Sequence, residues 1–534
     1  MDGSMPSIFV CAPPLGYHHQ SPTKSTKVIP NFLKRSVLET TVFVCGAVVM
    51  IYEIIGSRIV SPFIGTSTYV WTSLIGVILG SLSLGYWLGG RVADKRPDAK
   101  ILALVVFVAG GLISVTILIK DVILAAVASM PTGLEIKAVI AAILLFAPAS
   151  IALGFVTPYA VRLKMQSVTD AGKTVGRLYA LSTVGSIVGT FAAGFLLIPF
   201  VGSVRTLYIL AGSLIILSLV IAPFAFTRIS FALLTLFVLG IAGSETTAYY
   251  QREVKGVRDF DTEYSRVQIF GAKEAKTNRS IRAMVTDPYF VQSVVYLDGD
   301  DLFASYSHFY HLLRYLRPGF RNTLMIGGAG FTFPKNYIQT YPDATIDVVE
   351  IDPRMTDIAR DYFRLETDAR MKIVNEDGRV FLNAAPSGAY HAVLMDAFGS
   401  LFSVPYQLTT IEAVRHIDRV LDANGVVIFN LGSAVTGVRS RFLRSELATY
   451  RAVFPSVNVF KVHAEKDDED VQNLIIVACK TECLSDQATS PDSEIQSLLA
   501  NRYLENIPLD IPILTDDLAP VEYYNSFAQN SYRR

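Results

Sequence analysis

Three carboxylates and one run of small residues carry the spacing of a ligand site. Gly327, Gly328, Ala329 and Gly330 overlap the end of the apolar run "TLMIGG" and continue past it. Glu350 sits near the end of "TIDVVEID", twenty residues after Gly330. Asp377 and Gly378 close "MKIVNED", and Asp396 is the carboxylate at the tip of "HAVLMDAF". Small residues let a backbone approach a ligand closely. An acid at the next strand tip accepts from both hydroxyls of a ribose. Asp377 and Gly378 are placed to meet the edge of an adenine ring. A lone carboxylate at a further tip orients a nucleophile and takes its proton.

The elements that must position these residues are legible around them. Helix-length stretches such as "DPRMTDIARDYF" and "LTTIEAVRHIDRVL" separate the apolar runs. Strand–helix alternation predicts a mostly parallel sheet covered on both faces, with its ligand beyond the carboxyl ends of the strands. No Gly-Lys-Ser/Thr follows the glycines, so a phosphate-loop nucleotidase is excluded. The turn is not a G-x-G-x-x-G, which disfavours a pyrophosphate cofactor. A nucleoside without phosphates, such as S-adenosylmethionine or its decarboxylated form, fits better. Plainer readings stand beside these. Asp377–Gly378 alone is an ordinary turn, and Asp396 could cap its own turn. Tyr306 and Tyr310, four apart, read as a core-facing helical stripe. His311 reads as a packed helix residue rather than an acid–base group. Upstream, "YSRVQIFG", "SIRAMVTD" and "SVVYLDGD" predict a small β module.

The first half has a different composition. The 534-residue chain is 51% hydrophobic with mean hydropathy +0.40, which points to membrane spans. Seven apolar segments are long enough to cross a bilayer: 37–57, 69–90, 101–119, 136–160, 179–200, 206–226 and 229–246. Gly76 with Gly80, and Gly185 with Gly189, have the spacing that lets helices pack closely. The first segment is not expected to be a cleaved signal. Glu53 lies inside it, and an ion pair with Arg58 at the membrane edge is the expected explanation. Basic residues mark one side: Lys24, Lys27, Lys34 and Arg35; then Arg91, Lys95, Arg96 and Lys100; then Arg162, Lys164, Lys173 and Arg177. The amino terminus is therefore expected in the cytoplasm. Seven crossings then put the second half outside, whereas a metabolite-using enzyme is expected inside. The soluble half is accordingly expected in the cytoplasm, against the crossing count. Net charge is zero, so nothing suggests a nucleic-acid partner. The four cysteines predict neither a zinc site nor a disulfide framework.

The expected organisation is a polar tail (1–36), a transmembrane domain (37–247), a linker (248–263), the β module (264–300) and the α/β domain (301–534). The segments "YLDGDD", "FYHLL", "LMIGGAG", "VVEIDP", "NEDGRVFL" and "LMDAF" resemble the spermidine synthase (polyamine aminopropyltransferase) family. The whole chain, with "LTDDLAP" near its end, resembles the membrane-fused members of that family. The resemblance implies a multi-span helical domain followed by a class I methyltransferase-like, Rossmann-type domain. It implies decarboxylated S-adenosylmethionine as co-substrate, or S-adenosylmethionine itself, a small amine as acceptor, and no metal. Asp396 matches the family's base, Glu350 its ribose ligand and Asp377 its adenine-loop acid, with Gly327, Gly328, Gly330 and Gly378 around the nucleoside. Tyr310 and His311 match two residues of a substrate-side Tyr-His-Glu whose third is Leu312 here.

The pattern also departs from the family. The position of the family's amine-recognising Asp is Gly330 or Ala329, and that of a second acid after the base is Gly399. Asp516 and Asp517 would restore negative charge if the tail folds over the pocket. Methyl transfer, or a non-catalytic sensor or transporter partner, are the alternative functions. The lipid bilayer is an expected partner, and a homodimer through the soluble half stays open.

Overall fold

The computed structural model describes residues 31–65, 67–165, 167, 171–222, 228–287, 290–397 and 404–529. Gly399 lies outside the described residues, as do Lys24 and Lys27. The first half is helical throughout: α1 (Asn31–Ile64), α2 (Thr68–Lys95), α3 (Ala99–Ala128), α4 (Leu134–Leu145), α5 (Ala147–Lys164), α6 (Ala171–Ala192), α7 (Ile198–Val201), α8 (Ser203–Ile221) and α9 (Arg228–Tyr249). Among the described residues, five helices are long and apolar enough to cross a membrane, or six if the bent pair α4–α5 is one span. α9 falls on the seventh expected segment.

The bend between α4 and α5 is 56°, and Pro148 opens α5, where its missing N–H breaks the helical ladder. The carbonyl of Leu145 at the break accepts from the hydroxyls of Tyr52 and Thr116, each at 2.9 Å. Those hydroxyls supply what water cannot supply in an apolar interior.

The small residues that bring helices together differ in part from those expected. A Cβ on Gly185 or Gly189 would lie 2.1 or 2.4 Å from a backbone oxygen of α1, so these glycines set the α1–α6 crossing. Gly76 and Gly80 face open space. In α2 the close approach belongs to Gly85 and Gly89, which meet the backbone of α5. Identical i, i+4 spacing cannot tell an inner helix face from an outer one.

The segment expected as a linker, 248–263, is structured. It holds the end of α9, one π-helical turn and the strand β1 (Arg258–Asp261). With β2 (Arg266–Lys273), β3 (Ser280–Asp287) and β4 (Phe290–Tyr296) it forms a four-stranded antiparallel sheet in sequence order. Arg58, expected to pair with Glu53, instead donates to the carbonyl of Glu263 in the β1–β2 turn.

After α10 (Ser305–His308) and α11 (Leu313–Leu316) the α/β domain alternates as expected. Its first part holds β5 (Asn322–Ile326), α12 (Thr332–Thr340), β6 (Thr345–Val349), α13 (Pro353–Tyr362), β7 (Met371–Val374), α14 (Gly378–Ala384), β8 (Tyr390–Met395), α15 (Ile411–Val420) and β9 (Leu421–Ser433). Then come α16 (Arg441–Arg451), β10 (Ser456–Lys461), β11 (Gln472–Cys479), α17 (Ser493–Leu499), β12 (Arg502–Tyr503) and α18 (Val521–Gln529). The sheet order is β12-β10-β11-β9-β8-β5-β6-β7. Strands β5 to β9 run parallel, and β11 is antiparallel to β9. This is the class I methyltransferase-like Rossmann arrangement. β5 and β8 are buried along nearly their whole length, as a sheet covered on both faces requires. Strand order reverses between β5 and β8, and ligands bind at such switch points. One disulfide, Cys479–Cys483, closes the turn after β11. The spacing of the cysteines did not announce it, because the turn that folds the chain back is visible only in three dimensions.

Gly185→Leu should destabilise the helical half by roughly 1–3 kcal/mol, the usual cost of overpacking. Gly76→Leu should be neutral. Thermal unfolding of the full chain in detergent checks both, and equal melting temperatures for the two variants contradict the α1–α6 packing.

Candidate functional site

The site grows from the tips of β5 and β8. Gly327 takes φ +100°, and a Cβ there would lie 2.3 Å from the carbonyl oxygen of Asp396. Only glycine lets the two tips pass this closely. The next residues form a turn around one carboxylate. Glu350 Oε2 accepts from the N–H groups of Gly328 and Ala329, each at 2.9 Å, and Oε1 accepts from Asp352 N at 3.0 Å. Burial raises the Glu350 pKa, and the three backbone donors oppose that rise. Glu350 therefore fastens the glycine turn. Gly330 donates to Ser293 Oγ at 2.9 Å, and a side chain at position 330 would strike Ser293 and Phe363.

Asp396 follows β8, and its N–H donates to Ile326 O at 2.9 Å. Its carboxylate is held from two sides. Asn430 Nδ2, on β9, donates to Oδ1 at 3.0 Å, and the Tyr306 hydroxyl donates to Oδ2 at 3.1 Å. Asn473 on β11 donates in turn to Asn430 Oδ1 at 2.9 Å, fixing which way that amide points. Tyr310 is fully buried, and its hydroxyl donates to Met395 O at 3.4 Å. Burial raises the Asp396 pKa, and the bonds from Asn430 and Tyr306 oppose the rise.

A cavity of about 120 Å³ opens at this point, walled by Gly327, Gly328 and Ala329 on one side and by Asp396, Asn430 and Phe442 on the other. It is smaller than the roughly 300–1,000 Å³ of pockets that enclose a drug-sized ligand. Asp396 is the carboxylate among its described lining residues. Asn473 and Asn525 add neutral amides.

The sequence-derived residues divide accordingly. Asp396, Gly327 and Gly328 line the cavity. Glu350 and Gly330 support its wall. Asp377 caps α14, accepting from Arg379 N at 2.8 Å and Val380 N at 3.1 Å. Gly378 packs beneath it, with no room for a Cβ against Ile326. The charges of Glu263, Asp352, Asp377 and Glu350 add to burial in raising the pKa of Tyr264 in the β1–β2 turn. Three residues expected on the substrate side do not line the cavity. His311 turns away, bonding the Tyr341 hydroxyl at 2.7 Å; burial lowers its pKa to about 4, so it stays neutral. Asp516 is held by Thr410 at 2.7 Å and Arg379 at 2.8 Å, on the α14–α15 side. Asp517 is exposed to solvent. The tail reaches the cavity through Asn525 of α18 instead. Tyr306, read from spacing as core, is an Asp396 ligand. Asn430 and Asn473 carried no sequence signal beyond lying on late strands.

Comparison with known proteins places this geometry. Residues 303–466 match the model of the spermine/spermidine synthase domain. A polyamine aminopropyltransferase of Vibrio vulnificus (strain CMCP6) is 29% identical over 187 residues, 35% of this chain and 60% of that protein. The eEF1A lysine and N-terminal methyltransferase of Xenopus laevis is 30% identical over 162 residues, 29% of this chain and 22% of that protein. The polyamine aminopropyltransferase 2 of Ralstonia nicotianae (strain ATCC BAA-1114 / GMI1000) is 24% identical over 443 residues, 76% of this chain and 80% of that protein. The chain thus spans less than two thirds of the first two relatives, 60% and 22% of their lengths, and the third match extends into the helical half. The matched segment holds the glycine turn, Glu350, Asp377, Asp396 and both of its hydrogen-bond partners, and with them this chain carries a spermine/spermidine synthase domain.

Proposed function

We propose that this chain is a bilayer-embedded aminopropyltransferase. Its donor is decarboxylated S-adenosylmethionine and its acceptor a small di- or polyamine. The observation that carries the reading is a single carboxylate, Asp396, fixed by Asn430 and Tyr306 at the wall of a cavity beside a glycine turn. In the reaction the amine nitrogen attacks the methylene carbon next to the sulfonium. The new C–N bond forms as the C–S bond breaks, and the electron pair leaves on sulfur as a neutral thioether. An alkylammonium has an ordinary pKa near 10.4, so the acceptor must lose a proton first. Asp396 accepts that proton and holds the nitrogen in line. Its raised pKa brings it closer to the operating pH, which favours a general base. The turn of Gly327 to Gly330 offers the close backbone approach that a nucleoside needs, and Glu350 stands behind it.

Methyl transfer from S-adenosylmethionine is the second reading. It is favoured by the methyltransferase relative and by glycine at position 330, where an acid would otherwise read the donor's amine. The two reactions release different nucleosides. The full-length protein in detergent should consume decarboxylated donor with an amine and release methylthioadenosine. Release of S-adenosylhomocysteine from the intact donor, with the decarboxylated form inert, overturns the first reading.

Asp396→Asn should lower kcat about 10²–10⁴-fold, the usual worth of a general base, in a steady-state assay with saturating amine. The pH dependence has a definite sign. Asp396 works ionised, so the rate should fall as pH drops through its raised pKa, at a pH above the ordinary carboxylate value of about 3.9. Asn430→Leu removes a bond that favours the charged form and should move this limb to higher pH. A limb that stays in place under Asn430→Leu separates Asp396 from the titration.

A further inference from the structure

We infer that the synthase domain lies on the face of the membrane opposite the basic loops, outside the cytoplasm, and that its cavity draws donor and amine from that side. The inference rests on the helical half being embedded in a bilayer and is independent of which group is transferred.

The directions of the helices follow from which residues meet. Gly185 of α6 packs on Phe43 of α1, and Gly189 on Ala47, so these two helices run the same way. Gly85 and Gly89 of α2 meet Ile151 and Phe155 of α5, again a parallel pair. Ser218 of α8 bonds the carbonyl of Ala103, while Gly110 packs on Ala211, so α3 and α8 are antiparallel. Gly240 and Gly243 of α9 lie beside Ser114 and Leu118, which makes α9 parallel to α3. The bent pair crosses once. Lys137 near the start of α4 bonds Ala128 at the end of α3, and Lys164 at the end of α5 pairs with Glu39 near the start of α1. Thus α1, α3, α6 and α9 run one way, and α2, α4–α5 and α8 return.

The two ends of the bundle differ. One end gathers the starts of α1 and α6 with the ends of α2 and α5. There Glu39 meets Arg177 at 3.0 Å and Asp94 meets Arg162 at 3.4 Å. Arg91, Lys95, Arg96, Lys100, Arg162, Lys164, Lys173 and Arg177 belong to the segments at this end, which the positive-inside rule assigns to the cytoplasm. The synthase half docks on the other end. Arg58, near the end of α1, donates to Glu263 O. Thr68 N, at the start of α2, donates to Glu522 of α18 at 2.8 Å. Ser203 N, at the start of α8, donates to Asp261 of β1 at 2.7 Å. Three separate helix ends therefore agree. A second observation is independent of the helices: the Cys479–Cys483 disulfide sits in the synthase half, and disulfides persist in oxidising compartments and are rare in the cytosol. The expectation of a cytoplasmic site rested on where a metabolite is made. The inference drawn from the helix directions and the docked ends runs the other way.

The test uses single cysteines in the full chain with Cys11, Cys45, Cys479 and Cys483 changed to Ser. Lys276→Cys is on an exposed turn of the β module, and Lys95→Cys is exposed in a basic loop. A membrane-impermeant maleimide should label Lys276→Cys in intact cells as fully as after permeabilisation, and Lys95→Cys only after permeabilisation. Labelling of Lys276→Cys only after permeabilisation, or equal labelling of both sites, overturns the inference. Should the cysteine-free chain fail to fold, a peptide tag after the last residue of the native chain, probed by antibody before and after permeabilisation, gives the same two outcomes. Labelling reads no chemistry. Transfer activity with the wrong labelling sinks only this inference, and expected labelling of a chain that transfers nothing sinks only the proposed reaction.

Discussion

The site depends on one buried carboxylate that does no chemistry. A buried acid is costly unless its oxygens find donors, and Glu350 finds them in the N–H groups of Gly328, Ala329 and Asp352. These bonds hold a turn in which Ala329 and Phe331 both take positive φ, a backbone state that persists only where its surroundings enforce it. With the turn fixed, Gly327 lies close against the carbonyl of Asp396, and the bond from Asp396 N to Ile326 O at 2.9 Å ties the tips of β5 and β8 together. The position of the proposed base is set by a neighbour that never touches the acceptor.

The strands that carry this device were legible because each is a short apolar run ending in a residue no core would choose. Their order and spacing were enough to place Glu350 and Asp396 at one rim of a sheet. The residues that orient Asp396 were not legible. Asn430 is 34 positions away and Tyr306 is 90, and no periodicity links positions so far apart. Tyr306 was further hidden by Tyr310. The pair looks like a core stripe, and Tyr310 is indeed fully buried, yet one turn earlier the same face opens on the cavity. Spacing also failed for glycines: Gly76 and Gly185 begin the same motif, and only the second meets a neighbouring backbone. Faces become distinguishable when their partners are placed.

His311, Asp516 and Asp517 show the limit of carrying roles along a sequence. Each stands where a substrate-side group was expected, and each is engaged elsewhere or exposed. What faces the space beyond Asp396 is amide rather than acid: Asn473 and Asn525. An amide oxygen accepts a hydrogen bond but carries no charge, so among the described lining residues Asp396 supplies the negative charge. On the proposed reaction, that would place the discrimination among amines on Asp396 and on shape.

The two halves are joined through the β1–β2 region and α18. Arg58 of α1 is acted on by Asp261, Asp352 and Glu263 together, and Asp352 donates its N–H to Glu350. Tyr264, in the same β1–β2 turn, feels the negative charges of Glu263, Asp352, Asp377 and Glu350. A freely swinging soluble domain would need none of this. The polar bonds at three helix ends and the shared acidic neighbourhood fix the sheet against the bundle. The ends of α1, α2 and α8 thus hold the β1–β2 region and α18, so both the start and the end of the second half are tied to the bundle.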